Sequence, residues 1–553
     1  MSPKHRPPRW PLLAAVPLLG LTACTGGQSA ASGGASSEAS PTVEVSTPAA
    51  TGDIDTLHWD LPSGEPASLD YAHAGDYSSN VMVANLCDTL VRMKADLTYS
   101  PGLATSWSNP DPTTLVYKIR KGVKFWDGSA LTAADVAYSL NRNLDEKVAS
   151  NNSPNFVNVT SIRATGPLEV TVRFKEPDEL FNKEMAATSG VIAKADFIRK
   201  KGSAYGKGSN GVMCTGPFEL ADWKANTSIR LVRNDAYWDK SFRARAATVD
   251  VSFVADTTNL TLGLKSGQLD GAFGVPAAAL PALTNTTNGA VHQGSGLSSY
   301  QLAPNGTPAG KDAHIRLALL KVIDRKALAT AVFHNSASPL YTFIPPSGWD
   351  TDAKATFQSA YDKLDKPGPD GDAAAAKKEL AQSPLKDTTV TIGVQAGDAT
   401  EVTTVTLIQE QARRIGLRVR IEQLQPLQFN TAFYDPKARA GIDFLLTKGF
   451  LSVADPLDYL ALGPVPQGQF NWIGWNDTRT AALIAEARRT TDATKRADYI
   501  VQAQARYEAV AWSVPLLSIN EVTYLNQRVT GAPLTTAAIF QPSLAVIGSA
   551  KAK

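Results

Sequence analysis

Hydrophobic and polar positions alternate with two different periods along this chain, and the clearest stretch predicts a strand, a helix and a second strand in succession. Thr389 to Val394 reads as a strand, and Val405, Ile408, Ala412 and Ile415 then fall on one face of a helix. Gly416 is placed to stop that helix at its C′ position, and Leu417, Val419 and Ile421 alternate as the next strand. This spacing predicts a right-handed parallel crossover in an α/β domain. The strongest helix start is Thr132-Ala133-Ala134-Asp135, where Thr132 caps, Asp135 answers as a capping box and Leu131 can staple to Val136. That helix is expected to reach about Asn143 with Val136 and Leu140 facing inward. Further helices are predicted over His314 to Thr330 and over Thr480 to Val510, the latter with Tyr499, Ala503, Tyr507 and Val510 in register. No repeat of fixed period is present.

The N-terminus follows other rules. Lys4, Arg6 and Arg9 precede an apolar run from Trp10 to Leu21 that ends in Leu21-Thr22-Ala23-Cys24, the order of an export signal. The run is about a dozen residues, short of the ~20 needed to span a bilayer as a helix. Small residues just before a cysteine resemble the lipobox of bacterial lipoproteins, in which Cys24 would be acylated and become the first residue of the mature chain. An ordinary signal peptide with Cys24 a free thiol is the alternative. From Thr25 to Gly52 the chain is almost entirely Gly, Ala, Ser, Thr and Pro, too poor in apolar bulk to order itself, and it reads as a flexible tether with a reach of roughly 30 Å.

Composition narrows the classes. The remaining chain of about 500 residues suffices for two or three domains, and 43 % hydrophobic content without a second long apolar run describes a globular protein. Loss of Lys4, Arg6 and Arg9 with the signal takes three positive charges from a net +2, leaving −1. No basic stripe supports nucleic-acid binding. Once Cys24 carries lipid, Cys87 and Cys214 are the two remaining thiols, and a pair in an oxidising compartment points to one disulfide, with two separate buried thiols as the alternative. The signatures G-x-S-x-G, H-E-x-x-H and G-x-x-x-x-G-K-[ST] are missing. One G-x-G-x-x-G occurs at Gly206, Gly208 and Gly211, but in a polar loop instead of between a strand and a helix, so it argues against a dinucleotide site. His5, His58, His73, His292, His314 and His334 show no metal-ligand spacing.

Seven segments, in order, carry a family resemblance: P-G-L-A-T-S-W (Pro101 to Trp107), F-W-D-G-S-A-L-T-A-A-D-V-A-Y-S-L-N-R (Phe125 to Arg142), C-T-G-P-F-E-L (Cys214 to Leu220), R-N-D-A-Y-W (Arg233 to Trp238), I-R-L-A-L-L-K-V-I-D-R (Ile315 to Arg325), D-P-L-D-Y-L (Asp455 to Leu460) and N-W-I-G-W-N (Asn471 to Asn476). Together they resemble the peptide and nickel class (family 5) of extracellular solute-binding proteins that serve ABC importers, from about Leu57 to Val529. Physically they are scaffold: D-G after an aromatic is turn chemistry, T-G-P-F turns into a strand, and Asp455-Pro456 reads as a helix cap followed by proline, with Asp458 in the positive first turn.

The resemblance implies an α/β, two-lobed periplasmic-binding-protein-like fold (class II, large cluster C type) with an interlobe ligand cleft. The expected division is a signal peptide at 1–23, a lipid-anchored tether at 24–52, lobe I with an extra subdomain at 53–294 plus 515–553, and lobe II at 295–514. Function would be capture of an oligopeptide or peptide-like solute for delivery to permease and ATPase subunits. The same fold binding an oligosaccharide, a metal chelate or a signalling peptide is the alternative, and a lipoprotein enzyme or structural envelope protein a more distant one. A monomer held by its lipid on the extracytoplasmic face of the cell membrane is expected, with no catalytic residue, cofactor, metal or nucleic acid. In peptide-binding relatives an aspartate three positions before D-P commonly holds the peptide's α-ammonium group; here that position is Ser452, which offers no counter-charge. The resemblance therefore implies a ligand without a free cationic N-terminus, unless another acid substitutes. Phe450, Ser452, Asp455, Trp472 and Trp475 are the candidate ligand-binding residues. Asp455 is more economically the helix cap, and lobe-core packing is the other role open to the three aromatics.

Overall fold

The computed structural model describes residues 43–208 and 211–551. The signal, the lipobox with Cys24 and the tether up to residue 42 lie outside the described residues. Residues 43–52, expected to be the end of the tether, instead pair with the rest of the chain. Glu44 N–H donates to the Gln293 carbonyl, Thr47 N–H to that of Ala532 and Thr51 N–H to that of Ser549. Backbone pairing, which depends little on side-chain bulk, orders a stretch whose composition alone argued for disorder.

The backbone of the fold is an 11-stranded mixed sheet. Its order runs Arg418–Leu424, Thr389–Gln395, Phe444–Phe450, Gly289–Pro304, Val514–Asn526, Gly271–Phe273, Ile54–Asp60, Ala246–Ser252, Ser228–Arg233 and Phe218–Lys224, with Ala337–Pro339 added beside Val514–Asn526. The two long central strands cross the whole sheet as an antiparallel pair, from Gly289 opposite Asn526 to Leu302 opposite Val514, with register shifts between Gly294 and Ser298 and between Tyr300 and Gln301. A separate four-stranded sheet, in the order Ala104–Asp111, Thr114–Ile119, Glu169–Phe174 and Val159–Gly166, packs on the N-terminal side. The C-terminal residues return to that side, where Leu544 N–H donates to Asn85 Oδ1 at 2.9 Å.

The predicted crossover is present. Thr389–Gln395 and Arg418–Leu424 lie parallel in full register, joined by the helix Ala399–Arg414. Val405, Ile408, Ala412 and Ile415 are all buried beneath it. Gly416 has φ +90°, and the Leu417 N–H closes the helix end on the Ala412 carbonyl at 3.1 Å. The helix Ala133–Asn141 starts with the full capping box between Thr132 and Asp135.

Both longer helix predictions break. The first ends at Val322; Asp324 then caps a short turn at Arg325–Ala327 that continues as a π-helical turn over Leu328–Val332. The second is two helices, Thr478–Arg489 and Ala493–Glu508, because Asp492 accepts from Lys495 N–H at 2.8 Å and starts the chain afresh. Periodicity carries across such a break, so the cap was the signal that mattered. At the G-x-G-x-x-G loop, Gly206 sits at φ +75° with its α-carbon hard against Asp70, where a Cβ would lie 2.2 Å from the Asp70 nitrogen. Close packing of two backbones accounts for that glycine.

Cys87 and Cys214 form a disulfide across 127 residues of sequence, with Cα atoms 4.9 Å apart. One buried apolar cluster continues from the N-terminal side through Leu451, Val453, Leu457, Leu460 and the helices at 478–508, while a second lies beneath the crossover.

Candidate functional site

The strand Phe444–Phe450 pairs along its whole length with Gly289–Pro304, yet on its other edge only Phe444 and Leu445 meet a neighbour, at Ile392 and Gly393. From Leu446 onward that edge leaves the sheet, and Thr447, Lys448, Gly449 and Phe450 form one wall of a cavity of about 440 Å³. The facing wall comes from the N-terminal side of the sheet: Gly75 and Asp76, the latter capping the helix Tyr77–Leu86. Gln301 from one crossing strand and Ser513, next to the other, form the base. The cavity therefore lies where the two halves of the sheet are joined, as expected for an enclosed solute site.

Aromatic rings supply most of the remaining surface. Tyr459 and Phe470 stack with centroids 5.4 Å apart and planes at 12°. Phe433 meets Trp472 edge-on at 6.0 Å, and the Arg439 guanidinium covers the Trp472 ring at 4.5 Å. Trp512 also lines the cavity. Such rings offer apolar area with little side-chain entropy to lose on binding.

Three carboxyls reach the cavity, and each is engaged by the protein. Asp76 accepts from Ser79 N–H at 2.7 Å and from the Ser79 hydroxyl at 2.5 Å. Glu401, in the first turn of the crossover helix, accepts from Gln395 N–H at 2.6 Å, and burial pushes its carboxyl up to about 8. Asp458 accepts from Ser452 N–H at 2.5 Å; burial raises it to about 6. Beside it, burial first and then the Asp458 charge push the Glu184 carboxyl well up.

Of the sequence candidates, Phe450, Ser452 and Trp472 line the cavity together. Asp455 does not. Its carboxylate is fully buried behind the Leu451–Leu460 turn, where Arg496 Nη2 reaches both oxygens at 2.6 Å and Lys183 Nζ one of them at 2.8 Å. Burial alone would raise it, but the two cations outweigh burial and hold it well below the usual carboxylate range. Its Oδ1 also accepts from Leu457 N–H at 2.9 Å, but the helix Leu457–Leu460 starts one residue later than expected, with Pro456 and not Asp455 at its N-cap. Trp475 packs against the main apolar cluster, half-buried, and its backbone N–H donates to Asn471 Oδ1 at 2.9 Å. The sequence reading missed Lys448, Gln301, Tyr459 and Glu401. Lys448 lies in the same stretch as Phe450 and had a usable signal, a cation on a strand whose neighbours are apolar; the others are scattered over 158 residues from Gln301 to Tyr459 and meet only through the fold.

Residues 98–469 match the model for bacterial extracellular solute-binding proteins, family 5, middle region. The chain belongs to that family. It is 24 % identical over 489 residues to the dipeptide-binding protein DppE of Bacillus subtilis, covering 84 % of this chain and 87 % of the relative. It is 26 % identical over 498 residues to the probable deoxycholate-binding periplasmic protein YgiS of Escherichia coli, covering 85 % and 89 %. Its fold matches that of the oligopeptide-binding protein AppA from Bacillus subtilis in complex with a nonapeptide, with a TM-score of 0.76 at 20 % identity, over 91 % of this chain and 100 % of that one. The α/β architecture implied by the seven segments is thus the family 5 periplasmic-binding-protein fold.

Proposed function

We propose that this protein is the lipid-anchored, non-catalytic receptor of an ABC importer, and that it captures a peptide or peptide-like solute between two lobes. The observation that carries this reading is the aromatic cavity of about 440 Å³ at the crossing strands of a family 5 solute-binding protein. The peptide-binding names of DppE and AppA support the ligand class. Lobe I would comprise 53–294 plus 515–553 and lobe II 295–514, hinged at the two long strands. Solute binding shifts the open and closed forms by differential affinity, and the permease reads the closed one. Cys24 would carry the lipid, placing the protein on the extracytoplasmic face of the membrane as a monomer. Phe450, Ser452 and Trp472 would contact the solute, and Ser452 would leave an ammonium group without the counter-charge that an aspartate supplies.

Thermal stabilisation of the processed protein by a peptide mixture, compared with oligosaccharides and with nickel plus histidine, tests this. Stabilisation by peptides without their conversion is expected. Stabilisation by oligosaccharide or chelate alone would replace the peptide reading, and turnover of any ligand would end the non-catalytic one.

A further inference from the structure

The cavity contains three engaged acids and one unengaged base. Lys448 is the sole Lys, Arg or His among the described residues that line it, it is exposed, and among the described residues it makes no ion pair. The acids are occupied otherwise: Asp76 by Ser79, Glu401 by Gln395 N–H, and Asp458 by Ser452 N–H and the neighbouring Glu184. An ammonium group here would face Lys448, and each of the three carboxyls is already accepting hydrogen bonds from the protein. A carboxylate would find its partner at once.

Two further atoms on the same walls have no hydrogen-bond partner although they are buried. Gln301 Oε1 is an acceptor and Trp472 Nε1 a donor. Buried polar atoms are rarely left without partners. An amide bond supplies the complement of both, an N–H for Gln301 and a carbonyl for Trp472, once the two side chains turn to present these buried atoms to the cavity. The unpaired edge of the strand from Leu446 to Phe450 runs along the same wall.

We propose that the ligand is an amide-containing carboxylic acid with no cationic group, an N-blocked peptide acid, whose carboxylate pairs with Lys448 and whose amide spans Gln301 and Trp472. The inference rests on the solute-capture role and specifies its ligand. Lys448 is then the specificity-determining residue, and Ser452 is tolerated because no ammonium has to be held.

Calorimetry on the processed protein decides it, with three versions of one mixture of apolar tri- to pentapeptides: N-acetylated acids, N-acetylated C-terminal amides, and acids with free amino termini. The N-acetylated acids should bind roughly tenfold or more tighter than both other sets, the scale of one charge-assisted contact. Lys448→Met should bring the acids down to the level of the amides and leave the amides unchanged, and circular dichroism should show the variant folded. Equal binding of acids and amides, tighter binding of free-amine peptides, or an unaffected Lys448→Met variant would overturn the inference while leaving peptide capture intact. Failure of all three sets alongside binding of an oligosaccharide or of nickel with histidine would overturn peptide capture itself, and this inference with it.

Discussion

Arg496 grips Asp455 with one guanidinium nitrogen 2.6 Å from each carboxylate oxygen, and both side chains are almost fully buried. Lys183, from the N-terminal side of the molecule, completes the cluster at 2.8 Å. Removing one member of such a group strands the others away from water. Asp455→Ala is expected to cost about 3–5 kcal/mol, whereas Lys183→Met should cost less because Lys183 is partly exposed. Urea unfolding of both variants tests the order, and a Lys183 variant as unstable as Asp455→Ala would show that the cluster is misread.

The disulfide closes a long loop within the N-terminal side. A Cys87→Ser, Cys214→Ser double variant is expected to lose about 3–5 kcal/mol by the loop-entropy estimate, provided the unfolded reduced chain is unstructured. Mass spectrometry of unreduced digests checks the bond itself, and two free thiols in the wild-type protein would defeat the prediction.

Glu401 sets a pH dependence of opposite sign to that of Asp455. Burial raises the Glu401 carboxyl from 4.5 to about 8, so the folded state holds a proton that the unfolded state releases. Its penalty is complete above about pH 8 and is relieved as pH falls toward 4.5; Glu508, also raised to about 8 by burial, adds to it. Asp455, held low, contributes stability above its ordinary 3.8 that is lost in stronger acid. The melting temperature is therefore expected to rise as pH is lowered from about 8.5 to about 6. Glu401→Gln should be the more stable protein at the higher pH and show a flatter profile, and an unchanged slope would rule Glu401 out as a source.

Ser452 invites the reverse substitution. Ser452→Asp would add a carboxylate to the cavity wall, and affinity for dipeptides with free amino termini should rise about tenfold or more over wild type. Calorimetry that finds no gain would show that position 452 does not face the amino terminus of a bound peptide.

At the N-terminus, Cys24→Ala is expected to release the protein into the medium or leave it uncleaved. Recovery of the variant in washed membranes, processed and in wild-type amounts, would refute lipid anchoring at Cys24.

The sequence by itself determined the local units, because their signals lie within a few residues of one another. Thr132 with Asp135 and the crossover from Thr389 to Ile421 with its stop at Gly416 read correctly from spacing, and the seven segments pointed to the family by resemblance. It also determined that Ser452 stands where an acid is expected. Tertiary structure alone decided what surrounds Ser452. Lys448, Gln301 and Glu401 reach the same cavity from three elements because the sheet brings those elements together, and no periodicity encodes that meeting. It likewise decided that Asp455 faces Arg496 and Lys183 instead of the cavity, since a carboxylate's role depends on which distant cations burial places beside it. The helix break at Asp492 and the docking of residues 43–52 have the same cause: hydrogen bonds to particular backbone groups outweighed what composition and periodicity implied.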